Sequence, residues 1–127
     1  MQDDLWERKL KVLQHILDEI DIQSIYNICI ASQEGQILIS SNKTEQSSNI
    51  APVAEKISKL FKNLKDLPQN PNDIVINCPN EKIYFQRIPK SPRSESFLLL
   101  IVSMSPNCLY FRRALKKNVN RIKIFLN

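Results

Sequence analysis

Apolar positions recur along this chain with two different periods. Over residues 3–20, Trp6, Leu10, Leu13, Leu17 and Ile20 return every three or four residues, and Leu5 and Ile16 widen the stripe. That spacing predicts an amphipathic helix, and Asp3 and Asp4 suit its start, where the helix dipole favours negative charge. Residues 26–32 (YNICIAS) and 36–41 (QILISS) are β-branched and strand-like, and they flank Gln33-Glu34-Gly35. Gly35 is the single glycine of the 127 residues, and it falls where a tight hairpin needs a positive φ.

A polar stretch, 41–49, separates this hairpin from the next helical pattern. Ser48 or Asn49 can cap a helix running to about residue 66, with Pro52 tolerated in its first turn. Its apolar residues are Ile50, Val53, Ala54, Ile57, Leu60, Phe61, Leu64 and Leu67. They cover an arc of roughly 140°, wider than packing on one sheet requires, and the excess suits a partner. PQNPN, 68–72, is a breaker. Asp73–Cys78 and Lys82–Ile88 read as strands around a Pro79-Asn80 turn, followed by a polar loop over 89–96. Phe97–Met104 is apolar on both parities, as expected of a central strand buried on both faces. Ser105-Pro106 supplies an N-cap and a first-turn proline for a last helix over about 106–125. Cys108, Phe111, Leu115, Val119, Ile122 and Leu126 form its narrow core-facing seam.

The resulting order is α-β-β-α-β-β-β-α over one domain, 1–127. Consecutive strands favour an antiparallel sheet, five strands sandwiched by helices, in an α/β chain of the α+β kind.

Composition agrees with a globular domain: 43% of residues are hydrophobic and 24% charged. The longest apolar run, Phe97–Val102, is too short to span a bilayer. The opening MQDDLWERK is polar rather than signal-like, so a cytoplasmic location is expected. Cys29, Cys78 and Cys108 are scattered and form no CxxC, which fits three small core residues better than disulfides or a zinc site. With one glycine there is neither a GxxxxGK[ST] nor a GxGxxG loop, so no nucleotide-phosphate cradle of either kind is present. The single histidine, His15, falls about 200° around the first helix from Leu13, on the solvent side, without a nucleophile motif near it. No enzyme, no metal and no cofactor is expected from these residues.

Charge changes the picture. The net charge is +5, yet residues 97–127 carry six basic side chains and no acid, whereas 1–96 carry 12 basic and 13 acidic ones. The whole excess lies on the last segment. On its helix, the face opposite the core seam presents Tyr110, Arg113, Lys117, Arg121 and Ile124. An aromatic and an isoleucine among cations make a docking surface or an ordinary solvated face. Nucleic acid is a weaker use of it, since no helix-turn-helix pattern or stacking platform accompanies the cations. The strand DIVINC is apolar on both parities. At a sheet edge it would offer unpaired backbone groups, to be covered by its own helix or paired with a second chain.

Taken together, these segments resemble the Roadblock family, the dynein light chain roadblock-type domains. The stretches that carry the likeness are LDEI, IYNICIASQEGQILISS, APVAEKISKLFKNL, DIVINCPNEKIYFQRI and FLLLIVSMSPNCLYFRRALKK, nearly the whole chain. The scarcity of glycine and the basic last helix depart from the family pattern. Longin and profilin-like modules share the element order, with membrane traffic or actin as the corresponding use. The Roadblock resemblance implies a non-catalytic dimer built through the middle helix and third strand, as a homodimer or with a paralogous Roadblock protein. Here that interface would comprise Val53, Ile57, Leu60, Phe61, Leu64, Ile74, Val75 and Ile76. It also implies a platform for small Ras-like GTPases or a related complex; the candidate docking residues on this chain are Lys59, Lys62, Tyr110, Arg113, Lys117, Arg121 and Ile124. A small-molecule substrate is not implied, and a membrane only through a partner.

Overall fold

The computed structural model describes residues 2–44, 50–64, 72–91 and 94–126. The expected cap at Ser48 or Asn49, Leu67 of the apolar arc and most of the PQNPN breaker lie outside these residues. The elements follow the expected order: α1 Gln2–Glu19, β1 Ile25–Ala31, β2 Ile37–Asn42, α2 Ile50–Leu64, β3 Asp73–Asn77, β4 Lys82–Pro89, β5 Phe97–Met104 and α3 Phe111–Leu126.

The strands form one antiparallel sheet in the order β2-β1-β5-β4-β3. β5 is central, and all eight of its residues are buried, which is why its sequence is apolar on both parities. Each face of the sheet carries its own core. On one face Leu13 and Leu17 of α1, Ile20 just after it, and Phe111, Leu115, Val119 and Ile122 of α3 pack over Ile28, Tyr84, Leu98, Leu100 and Val102. On the other, Ala54, Ile57 and Phe61 of α2 pack over Cys29, Ile83, Phe85, Leu99 and Ile101. Alternate residues of one strand thus enter different cores, as the pleat requires.

Local chemistry sets the element ends. Lys43 Nζ donates to the carbonyls of Leu17 and Asp18, at 2.9 and 3.1 Å, and so caps the C-terminus of α1 with a cation from β2's far end. In the β1–β2 hairpin, Gly35 has φ +87° and its N–H donates to the Ser32 carbonyl at 2.9 Å. The pairing of β1 with β2 shifts register between Ile30 and Ala31.

The last helix starts later than its sequence predicts. Ser105 and Pro106 open a turn rather than a helix: the Cys108 N–H donates to the Ser105 carbonyl at 3.0 Å, and the Asn107 N–H to Ser105 Oγ at 3.3 Å. Tyr110 takes φ +58°, and α3 begins at Phe111, with the Ala114 N–H donating to the Tyr110 carbonyl at 3.1 Å. The reason is packing. The turn returns Cys108 to the core, where its carbonyl accepts from Lys82 Nζ at 2.9 Å, and brings Phe111 edge-on to Tyr84 at 5.0 Å.

Candidate interaction surfaces

β3 lies at the end of the sheet and pairs with β4 alone, from Asp73 opposite Gln86 to Asn77 opposite Lys82. Its outer row of backbone groups faces no strand among the described residues. Ile74 and Ile76 lean toward the α2 core and Val75 toward the α1/α3 core, and all three stay half-buried.

α2 divides the residues expected at a chain–chain interface. Ile57 and Phe61 are 7% and 2% exposed and belong to the chain's own core beneath the helix. Val53 and Leu64 are half-buried and Leu60 is 40% exposed. Among the described residues, the apolar surface left over on this face comprises Val53, Leu60 and Leu64 with Ile74 and Ile76, and Ile37 of β2, while Val75 points through the other side of the sheet. The wide apolar arc has a partly internal explanation, because Ile50, Ala54, Ile57, Ser58 and Phe61 are all buried within the chain.

The expected docking set does not form one surface. Lys59 and Lys62 are exposed on α2, and Lys59 Nζ sits 3.7 Å from Glu55 Oε1. Tyr110, Arg113, Lys117 and Ile124 are exposed on the opposite side of the sheet, where α3 packs. Sequence spacing cannot reveal this, because which face a crossing helix covers is a property of the assembled sheet. Arg121 is engaged: its Nη1 donates to Glu19 Oε2 of α1 at 2.8 Å, and that guanidinium, with His15 nearby, holds the Glu19 carboxyl below its ordinary pKa. His15 lies on the exposed flank of α1, 2.8 Å from Glu19 Oε1.

One polar cluster was not legible in the sequence. Arg112 Nε donates to Asp73 Oδ2 at 2.8 Å, joining the first turn of α3 to the edge strand. The buried Tyr84 hydroxyl lies 3.1 Å from the same oxygen and 2.9 Å from Gln86 Oε1, and the Arg112 guanidinium stacks over the Tyr84 and Phe111 rings. Burial and the Asp73 charge push the Tyr84 pKa well up, and Asp73 raises that of Arg112. The partners are separated by 39 residues, and no local motif announces them. The exposed Leu109, 70% accessible beside Tyr110, was also missed, because a helix drawn from 106 hides the turn that exposes it.

Sheet order, one helix on one face and two on the other define the Roadblock/LC7 fold. Solved structures sharing it include MglB from Myxococcus xanthus, with TM-score 0.68 and 12% identity over 89% of this chain and 93% of that one. An MglB in a tetrameric arrangement matches at TM-score 0.65 and 12% identity, covering 94% of this chain and 88% of that one. A Roadblock/LC7 domain from Streptomyces avermitilis matches at TM-score 0.53 and 9% identity, over 91% and 95%. No protein-family model and no curated protein matches the sequence. The resemblance read from the sequence therefore holds at the level of the fold.

Proposed function

We propose that two copies of this chain, or this chain and a Roadblock paralogue, join through β3 and the adjoining flank of α2. The pair is a non-catalytic platform for a small Ras-like GTPase or a related multi-subunit complex. The observation that carries the reading is the outer edge of β3, unpaired among the described residues and bordered by the half-buried Ile74 and Ile76 and by the exposed Leu60. Antiparallel pairing of two such edges satisfies the outer backbone row and covers those side chains in one step. A stable dimer buries about 1,600 Å² or more in total, so the interface extends beyond β3, Val53, Leu60 and Leu64 onto neighbouring surface. Among structural neighbours, MglB is described in a tetrameric arrangement, and the Roadblock fold supports the GTPase reading by analogy alone. Lys59 and Lys62 adjoin this side and are the docking residues for the third component.

Light scattering on a sizing column tests the first step. A mass twice the 14.8 kDa chain is expected, falling to one chain for Leu60→Glu, whose exposure lets the monomer fold. A monomeric wild type, both alone and mixed with paralogous Roadblock chains, or a Leu60→Glu protein of unchanged mass, refutes the interface. Binding of purified Ras-like GTPases in their diphosphate and triphosphate forms, with Lys59→Glu/Lys62→Glu as control, tests the second.

A further inference from the structure

Six large apolar side chains stand exposed among the described residues, and five of them share the α1/α3 side of the sheet: Leu5, Val12, Leu109, Tyr110 and Ile124. Leu109, Tyr110 and Ile124 are 70%, 80% and 75% accessible. Leu109 and Tyr110 form the turn entering α3, and Ile124 sits near its other end, about 20 Å along the axis at 1.5 Å per residue. Between them the outer face of α3 carries Arg113, Lys116 and Lys117, all exposed and in no ion pair among the described residues. The two acids that pair with α3 are engaged by other cations, Asp73 by Arg112 and Glu19 by Arg121. The result is a convex cationic rod with an apolar tip at each end.

We propose that this face of α3 binds an anionic membrane surface directly. The charge complement is specific to anions, because residues 97–127 contain no acid at all. The apolar tips select a bilayer over a protein. Protein anchors cluster centrally and enter pockets, whereas these side chains stand apart on a convex face. A fluid interface accommodates isolated apolar groups, and a tyrosine at its water boundary keeps its ring in the apolar layer and its hydroxyl wet. Cations beside them gain from the negative surface potential. Among the described residues no helix is long and apolar enough to cross a bilayer, so the contact is peripheral. The backbone supports the same assignment: Tyr110 holds φ +58°, a left-handed geometry that a bulky residue adopts at a cost, and it thereby presents its ring to solvent. α2 and its flank lie on the opposite face. Arg112 joins the first turn of α3 to β3, while Ile124 sits at the other end of the helix, and vesicle binding is read separately from the mass in solution, so each reading fails or stands without the other.

Co-sedimentation of the full chain with vesicles decides it, using phosphatidylcholine alone and phosphatidylcholine with about one third phosphatidylserine. Binding to the anionic vesicles alone is expected, weakening as ionic strength rises. Arg113→Glu/Lys117→Glu is expected to lose about tenfold or more, and so is Leu109→Ser/Tyr110→Ser, with Ile124→Ser as an independent variant away from the turn. Unchanged circular dichroism for each variant confirms folding. Absence of wild-type binding at low salt, or equal binding to both vesicles, overturns the proposal. So does loss on charge reversal with full binding by both serine variants, which would mark a general polyanion site for nucleic acid or an acidic protein.

Discussion

The backbone of Glu55 in α2 passes so close to Gly35 that a Cβ on Gly35 would lie 2.4 Å from the Glu55 Cα and 2.6 Å from its nitrogen. The β1–β2 turn and the middle helix are thus in backbone contact. Ser58, buried one turn further along, donates its hydroxyl to the Gln33 carbonyl of the same turn. Gln33 Oε1 in turn accepts from the Phe97 N–H at 3.4 Å.

Two independent requirements therefore meet at Gly35, a positive φ and space for a helix backbone. Gly35→Ala is expected to destabilise by about 2–4 kcal/mol, more than the strain of φ alone, because backbone rather than a flexible side chain must move. Urea unfolding measures it. A loss under about 1 kcal/mol would mean that α2 rides on the hairpin loosely.

Asp73 ties the edge strand to α3. Asp73→Asn weakens the ion pair with the half-exposed Arg112 and is expected to cost up to about 1 kcal/mol. Tyr84→Phe removes a buried hydroxyl with its partners and costs about 1 kcal/mol or slightly more. Because they share one oxygen, the two effects are less than additive in the double variant. Faster amide exchange across β3 in Asp73→Asn is the accompanying signature, and exchange unchanged from wild type would contradict the tie.

Tyr110 sits in a left-handed conformation while its ring contributes little burial. Tyr110→Asn is expected to raise stability by about 0.5–1 kcal/mol, since asparagine adopts that region more readily. Thermal unfolding reads the gain, and a lower melting temperature would show that the ring packs better than its exposure indicates.

The cysteines differ in environment. Burial pushes the Cys29 thiol up to about 12, so it carries almost no thiolate at neutral pH, and Cys108 is also buried. Cys78 is half-exposed in the β3–β4 turn. Iodoacetamide at about pH 8 is expected to modify Cys78 first, leaving Cys29 and Cys108 until the chain unfolds. Mass mapping of the adducts checks the order, and early modification of Cys29 would contradict its burial.

Glu19 links α1 to α3, and its folded-state pKa is lowered by the Arg121 hydrogen bond. A depressed carboxyl contributes stability that is complete above its unfolded value, about 4.3, and is lost as pH falls through the folded one. The gap between wild type and Arg121→Gln is therefore expected to be constant near neutrality and to close in acid. A pH-independent gap would show that Arg121 acts through packing of its stem.

Much of this architecture is legible in the sequence because it rests on short-range periodicity. The 3.6-residue stripes of α1 and α2, the strand-like runs around Gly35 and the doubly apolar β5 each follow from burying one stripe, one face or both faces, and the single glycine marks a positive φ wherever the chain goes. What the sequence by itself determined is this set of elements, their order and the basic excess of the last segment. The tertiary structure decided the rest. It placed α2 on one face and α3 on the other, separating Lys59 and Lys62 from Arg113 and Lys117. It drew Ile57 and Phe61 into the chain's own core, joined Arg112 to Asp73, paired Arg121 with Glu19, and turned the chain at Ser105–Tyr110 so that α3 begins late with Leu109 and Tyr110 outside. Each of these depends on contacts between residues remote in sequence, fixed by which faces meet when the sheet closes, and a local pattern holds no record of its opposite number.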